Sequence, residues 1–259
     1  MTPIITLTTD FSAGDGFVGM MKGVIKRINP AAEIIDIAHN VPHHNIDAGA
    51  FILHNSYRYF PAGTIHVAVV DPGVGGKRRP LAAKLRNHIF IAPDNALLKY
   101  IFQLNKDIIV YELKNQDFFL EEVSSTFHGR DIFAPTAAHL SMGKDIAEVG
   151  PVISDFVRGR IKTPVVLKKY IKGTILYVDH FGNLITNVHK SQLATENICI
   201  SFGNHEICGL KYSYEDVRKS NPVALVNSAG YIEIAVNQNR ADRLLNLKPD
   251  DRIIITYEK

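Results

Sequence analysis

The sequence predicts a two-part α/β protein. A mainly parallel α/β sheet domain is expected over residues 1–160, and a smaller antiparallel β-barrel-like domain over 170–259, with a linker at about 161–169. Three observations carry this. In the first part, β-branched runs alternate with runs at helical spacing, the pattern of parallel strands crossed by helices. After residue 170 short strand runs follow one another with turn residues between them, as in a barrel or sandwich. The length of 259 residues suits one large domain or two smaller ones.

Pro3 to Thr9 is short and β-branched and reads as a buried strand ending at Asp10. Phe17, Met20, Met21, Val24, Ile25 and Ile28 then recur at helical spacing up to the stop signal Asn29-Pro30. Ile34 to Ile37 reads as a strand, Asp47 to Tyr59 as a helix, and Thr64 to Val70 as a strand ending at Asp71. Strands follow at His88 to Ala92 and Asp107 to Leu113, and helices at Asn95 to Gln103 and Asp131 to Ser141. Arg158 to Lys169, with its charges and Pro164, has linker character. The second part offers strands at Gly173 to Val178, Leu184 to Val188, Ile198 to Phe202, Val223 to Val226, Tyr231 to Val236 and Arg252 to Tyr257.

Composition narrows the function. A hydrophobic content of 46% with 21% charged residues fits a globular chain with a real core. A net charge of +3 without a long basic run argues against a nucleic-acid partner. No stretch is long and apolar enough to span a membrane, and Met1-Thr2-Pro3 opens no signal pattern, so a cytoplasmic protein is expected. Cys199 and Cys208 lie in strand-like runs without partners at metal-ligand spacing and read as buried free thiols in a reducing compartment. His43-His44 and the other His and Asp residues form no His-x-x-x-His or Glu-x-x-His pair on a helix, so no metal site is expected.

The chemistry-bearing residues gather at strand ends and turns. Ligands of open α/β sheets bind beyond the carboxyl ends of the strands, where an acid can accept ribose hydroxyls. Asp10 suits that role, or the capping of the next helix, which Asp15 could serve instead. Asp71-Pro72-Gly73-Val74-Gly75-Gly76-Lys77-Arg78-Arg79 is a glycine-rich loop that permits positive φ and close backbone approach. It lacks the Gly-Lys-Ser/Thr ending of a phosphate loop, and its acid and guanidinium could form a structural ion pair. Phe127-His128-Gly129-Arg130-Asp131 places a histidine just before a helix. Asp179-His180-Phe181-Gly182-Asn183 reads as a turn between strands; the Asn183 carboxamide could read an adenine edge or form the turn. Asn227-Ser228-Ala229-Gly230 is a turn entering a buried strand.

These five motifs, in this order and across nearly the whole chain, resemble the SAM hydroxide adenosyltransferase family, the S-adenosylmethionine (SAM) hydrolases related to fluorinase and chlorinase. The resemblance implies a homotrimer in which SAM sits between the N-terminal domain of one subunit and the C-terminal domain of its neighbour. It implies hydrolysis of SAM at C5′ to adenosine and L-methionine, without cofactor or metal. Asp10 would hold the ribose hydroxyls, and Asp15 and Ser228 the methionine end, with Asp179 nearby. Asn183 would read adenine, Tyr214 would stack on it, and Phe127 would line the site near C5′. The catalytic Asp-Arg-His set falls on Asp71, Arg78 and His128, with Arg79 the neighbouring alternative for the arginine. Three positions depart from the fluorinase pattern. Asp71 stands where that pattern has an aromatic residue, Ala229 where it has arginine, and His44 where it has tryptophan. A carboxylate at Asp71 would repel a halide. Halogenase-like adenosyl transfer and a non-catalytic SAM or adenosine sensor are the competing readings.

Overall fold

The computed structural model describes residues 2–12 and 14–257; Met1, Ala13, Glu258 and Lys259 lie outside the described residues. The chain divides into two compact units, Met1–Ile161 and Lys162–Lys259.

The first unit runs β1 (Ile4–Thr9), α1 (Phe17–Ile28), β2 (Glu33–Ala38), α2 (Ile46–Tyr57), β3 (Ile65–Val69), β4 (Pro80–Leu85), β5 (His88–Pro93), α3 (Lys99–Leu104), β6 (Ile108–Glu112), α4 (Ala134–Ser141) and β7 (Val152–Ile153). The sheet order is β2-β1-β3-β5-β4-β6-β7. β1 pairs in parallel with β2 and β3, and β3 with β5. β4 is antiparallel to β5 and β6, and β7 to β6. The parallel half is the part that bears Asp10 and Asp71; the strands beyond β5 make the sheet mixed.

α1 starts at Gly16, whose φ of 73° suits a residue without Cβ. It buries Val18, Met21 and Ile25, and ends at Asn29 in extended geometry ahead of Pro30, which cannot continue the helix. Lys26 and Arg27 in its last turn face the negative end of the helix dipole. Met21 and Ile25 pack with Ile5 and Leu7 of β1, Val67 and Val69 of β3, and Ala134, Ala137 and Ala138 of α4. Each fully buried aliphatic side chain contributes about 1.5–3 kcal/mol. Among the described residues no helix is long and apolar enough to cross a membrane.

The second unit contains β8 (Val165–Val166), β9 (Tyr170–Val178), β10 (Leu184–His189), β11 (Ile198–Phe202), β12 (His205–Cys208), β13 (Pro222–Val226), β14 (Tyr231–Val236), α5 (Ala241–Leu244) and β15 (Arg252–Tyr257). Its sheet order is β12-β11-β15-β9-β10-β14-β13, with β8 beside β9. All its strand pairs are antiparallel. A bridge from Lys211 to Leu225 brings the chain after β12 back onto β13, so the sheet nearly closes. Ile171, Ile175, Leu184, Ile200, Ile232, Ile234 and Ile255 fill it.

One expectation fails here. Cys199 and Cys208 are not free thiols but a disulfide. The β11–β12 register sets them directly opposite each other, at a Cα–Cα distance of 4.0 Å. Strand patterning alone did not reveal this pairing, because the hairpin turn at Gly203 fixes the register. The argument from free thiols to a reducing compartment therefore does not hold for this pair.

Candidate active site

The first unit has a topological switch point. β1 leads through α1 to β2 on one side, and β2 leads through α2 to β3 on the other. Such a reversal opens a crevice beyond the carboxyl ends of the two diverging strands. Thr9 and Val69 are register partners in β1 and β3, so Asp10 and Asp71 leave the sheet side by side at that crevice.

Asp10 is 7% exposed, and its Oδ2 accepts the His44 amide at 2.9 Å. His44 adopts φ 61° to present that amide, so it serves the site through its backbone. Neither acid caps α1: the N-cap is Gly16, with no side-chain cap bond. Asp15 stands exposed just before it. The helix-capping alternative for both residues is thereby removed.

The glycine loop folds Arg78 back onto Asp71. Gly75 holds φ 74°, and a Cβ there would lie 2.1 Å from the Ser125 carbonyl oxygen; no other residue fits. Arg78 Nε donates to Asp71 Oδ1 at 3.0 Å and Nη2 to Oδ2 at 2.5 Å, a bidentate fork. The two side chains are 9% and 3% exposed. The guanidinium also lies over the Phe133 ring, 5.5 Å from its centroid.

His128 completes the group, its Nδ1 lying 2.7 Å from Arg78 Nη2. A guanidinium has no acceptor, so Arg78 donates and Nδ1 is unprotonated. A neutral His128 therefore carries its proton on Nε2. Burial, then the Arg78 charge, hold its pKa below the usual histidine value, against smaller opposing effects of Asp71 and Asp131. His128 immediately precedes a π-helical turn, Gly129–Phe133, an irregularity frequent at functional sites. Asp131, fully buried, pairs with Arg130 of the same turn and accepts the Ser124 amide. Among the described residues Arg78 Nη1 is buried without a hydrogen-bond partner. An unmet guanidinium N–H of this kind is a ready anchor for a polar ligand atom.

Arg79 is elsewhere: it bonds Asp94 Oδ2 and both the side chain and carbonyl of Asp155. The arginine brought to Asp71 and His128 is Arg78. Phe127 closes the wall through edge contacts to Phe11 and Phe17, with centroids 5.7 and 5.1 Å away.

In the second unit, Asp179 follows β9 and Asn183 precedes β10. Asp179 Oδ1 accepts the Asn183 amide at 2.8 Å, and Oδ2 accepts Asn183 Nδ2 at 3.0 Å. A carboxylate only accepts, so the carboxamide orientation is set: one N–H is spent on Asp179, and Oδ1 with the other N–H remain for a ligand. Asp179 is thus the orienter of Asn183. Asn183 and Tyr214 line a cleft of about 660 Å³ with Phe181, Asn237 and Arg240. Ser228 lies exposed on the turn between β13 and β14 and is not among the cleft-lining residues. Ala229 offers no charge beside it. The Asn227 side chain stabilises that turn by accepting the Ala229 and Tyr231 amides, each at 3.0 Å.

The sequence reading missed Glu233, Phe181 and Arg240. Glu233 had a visible signal, a carboxylate inside the apolar run Ile232-Glu233-Ile234-Ala235-Val236. Among the described residues the one His/Cys/Asp/Glu group close enough to share a metal is Cys199, Glu206 and Cys208, whose sulfurs are joined in the disulfide.

The chain resembles known proteins over nearly its whole length. Residues 5–150 match the SAM hydroxide adenosyltransferase N-terminal domain and residues 173–254 its C-terminal domain. The chain is 36% identical to an "(R)-S-adenosyl-L-methionine hydrolase" of Salinispora arenicola over 98% of each chain. It is 28% identical to a fluorinase of an Actinoplanes species, over 98% of this chain and 97% of that one. A crystal structure of a conserved protein from Thermotoga maritima superposes with a TM-score of 0.91 at 35% identity, covering 97% of this chain and 99% of the other. The chain belongs to the SAM hydroxide adenosyltransferase family.

Proposed function

We propose that the protein hydrolyses S-adenosyl-L-methionine at C5′, giving adenosine, L-methionine and a proton. The observation that carries this is the buried Asp71–Arg78 pair at the switch point, with His128 bonded to it and Arg78 Nη1 unpartnered among the described residues. Water oxygen attacks C5′ as the C5′–S bond breaks, and the electron pair returns to the sulfonium sulfur. Methionine leaves as a neutral thioether, so no acid is needed for the leaving group. Arg78 Nη1 holds the attacking oxygen and favours the charge that develops on it. Asp71 accepts its proton: each of its oxygens retains a lone pair beside the Arg78 bond. His128 does not serve as the base in this geometry, because Arg78 occupies Nδ1 and Nε2 is already protonated. It orients Arg78 instead. Asp10 takes the ribose hydroxyls, Phe127 lines the C5′ end, and Asn183 and Tyr214 take the adenine. Asp15, Ser228 and Asp179 belong to the methionine end, Asp179 also orienting Asn183. The reaction needs no cofactor, and the family resemblance supports a homotrimer as the working form.

The test is to incubate the pure protein with SAM and EDTA in H₂¹⁸O and to follow the products by chromatography and mass spectrometry. Equal adenosine and methionine, with one ¹⁸O in the adenosine, are expected. Label-free adenosine, or no turnover with SAM retained, would overturn the proposal; retained SAM would favour a sensor. Halide transfer is the second reading, favoured by the fluorinase relative. Buried carboxylate at Asp71 opposes it, and 5′-halo-adenosine formed in added fluoride or chloride would restore it.

A further inference from the structure

Glu233 is 4% exposed and sits mid-strand in β14, with Leu225 and Ile185 as its cross-strand neighbours. A carboxylate in such surroundings is costly unless it is hydrogen-bonded. Its Oε1 accepts the Tyr214 hydroxyl at 2.8 Å. Along β14 side chains alternate in direction. Ile232, Ile234 and Val236 enter the barrel core, whereas Ala235 packs with Val223, Leu225 and Val217 on the other face. Glu233 and Asn237 share that second face. Asn237 Nδ2 bonds the Val217 carbonyl at 2.8 Å, and the Ser220 amide bonds the Asn237 carbonyl at 2.8 Å. The segment from Tyr214 to Ser220 is therefore a strap pinned to β14 at two points, Glu233 at one end and Asn237 at the other.

Tyr214 begins a single 3₁₀ turn (Tyr214–Asp216) and is 42% exposed, so the turn alone does not fix its ring. The hydroxyl bond to Glu233 does, on the wall of the cleft that Asn183 also lines.

We propose that Glu233 is a positioning residue for substrate recognition, holding the Tyr214 ring at the angle that an adenine stacks upon. The proposal rests on the reading of this cleft as the adenine site. It assigns Glu233 to binding rather than to bond breaking.

The experiment measures adenosine affinity by calorimetry, and KM and kcat for SAM, in the full-length protein. The variants are Glu233→Met, Glu233→Gln, Tyr214→Phe, Asn183→Ala and the double variant Glu233→Met/Tyr214→Phe. Methionine fills the buried site without an acceptor, and loss of a hydrogen bond to a charged group should raise both adenosine Kd and SAM KM about tenfold. kcat should stay within about threefold, since the interaction is made equally in the ground and transition states. Glu233→Gln keeps a carbonyl acceptor for Tyr214 and should recover most of the loss. Tyr214→Phe should weaken adenosine like Glu233→Met, and the double variant should be no worse than either single one. A purely structural role for Glu233 would lower the melting temperature but give additive effects with Tyr214→Phe. Additivity, or unchanged adenosine affinity in Glu233→Met or Tyr214→Phe while Asn183→Ala weakens it, overturns the proposal. Unchanged affinity in Asn183→Ala would instead remove the adenine reading itself. If Glu233→Met does not fold, Tyr214→Phe breaks the same bond from its exposed side and decides the question.

Discussion

The two units solve different problems with different materials. In the first, the candidate residues are charged and desolvated: Asp71 and Arg78 lie forked together with almost no exposure, and His128 caps the pair. In the second, the cleft is lined mostly by neutral groups, among them Asn183, Tyr214, Phe181 and Asn237, with Glu215 and Arg240 its charged members, and the acids Asp179 and Glu233 bond Asn183 and Tyr214 as their orienters. Buried charge strengthens electrostatic action on a reacting atom. A wall of amides and rings reads shape and hydrogen-bond pattern at little desolvation cost. In the proposed function this contrast puts bond breaking at the carboxyl ends of the parallel strands and adenine recognition in the barrel.

The largest expected effect tests that division directly. Asp71→Asn should lower kcat by about 10²- to 10⁴-fold, the range for a lost general base, with adenosine Kd within about threefold of wild type. A turnover assay beside calorimetry checks both, and wild-type turnover would remove Asp71 from the mechanism. The variant also leaves the Arg78 charge buried and unpaired, which costs about 3–5 kcal/mol when a buried pair is broken. A lowered melting temperature is therefore expected too. Arg78→Lys, which cannot form the fork, should reduce kcat about 10²-fold, whereas Arg79→Lys, held by Asp94 and Asp155, should leave kcat unchanged.

Much of this was legible in the sequence. The helix Phe17–Ile28 and the strands Ile198–Phe202, Tyr231–Val236 and Arg252–Tyr257 fall where the sequence pattern placed them: the helix and the last strand each bury one face, and the other two strands are short apolar runs buried at nearly every position. β4 was not foreseen. It begins at Pro80 directly after a glycine-rich, basic loop, and what makes it a strand is long-range pairing with β5 and β6. The expected start of a helix at Asn95 moved to Lys99, because Ala96 adopts φ 73°. Asp10 and Asp71 were visible as strand ends, yet their adjacency depends on strand order, which spacing does not encode. The choice of Arg78 over Arg79 needed the fold as well, since Asp94 and Asp155 draw Arg79 away from distant parts of the chain.

A second prediction sets the units against each other by pH. Burial lowers the pKa of His54 to about 4 and that of His66 to about 3, and lowers His88 and His139 as well. A histidine with a depressed folded-state pKa favours folding above the unfolded value of about 6.5, and that stability is lost as pH falls toward the folded value. All of these belong to the first unit. Glu233 has the opposite sign: burial raises its pKa, so its effect on folding is more favourable at low pH and weakens as pH rises through the folded value. Between pH 6.5 and 4.5, hydrogen exchange should show amides of the first unit losing protection before those of the barrel. Asp242, held low by its Arg240 bond, acts only below its ordinary range and does not interfere. Equal loss of protection in both units would break the contrast. His66→Gln, which keeps a partner for Thr6 (2.8 Å from the ring in wild type), should lessen the acid sensitivity of the first unit.

The smallest expected effect concerns the turn at Ser228, whose next residue, Ala229, carries no charge. Ala229→Arg installs the residue that the fluorinase pattern has at this position, on an exposed turn braced by Asn227. An exposed ion pair contributes about 0.2–1 kcal/mol, so the variant should bind L-methionine about 1.4- to fivefold more tightly. KM for SAM should fall by the same factor and kcat should not change, because a carboxylate contact remote from C5′ is equal in ground and transition states. The gain should fade as salt is raised. A change in kcat instead would mean that the turn reaches the reacting centre, and the separation of recognition from bond breaking would have to be redrawn at Ser228.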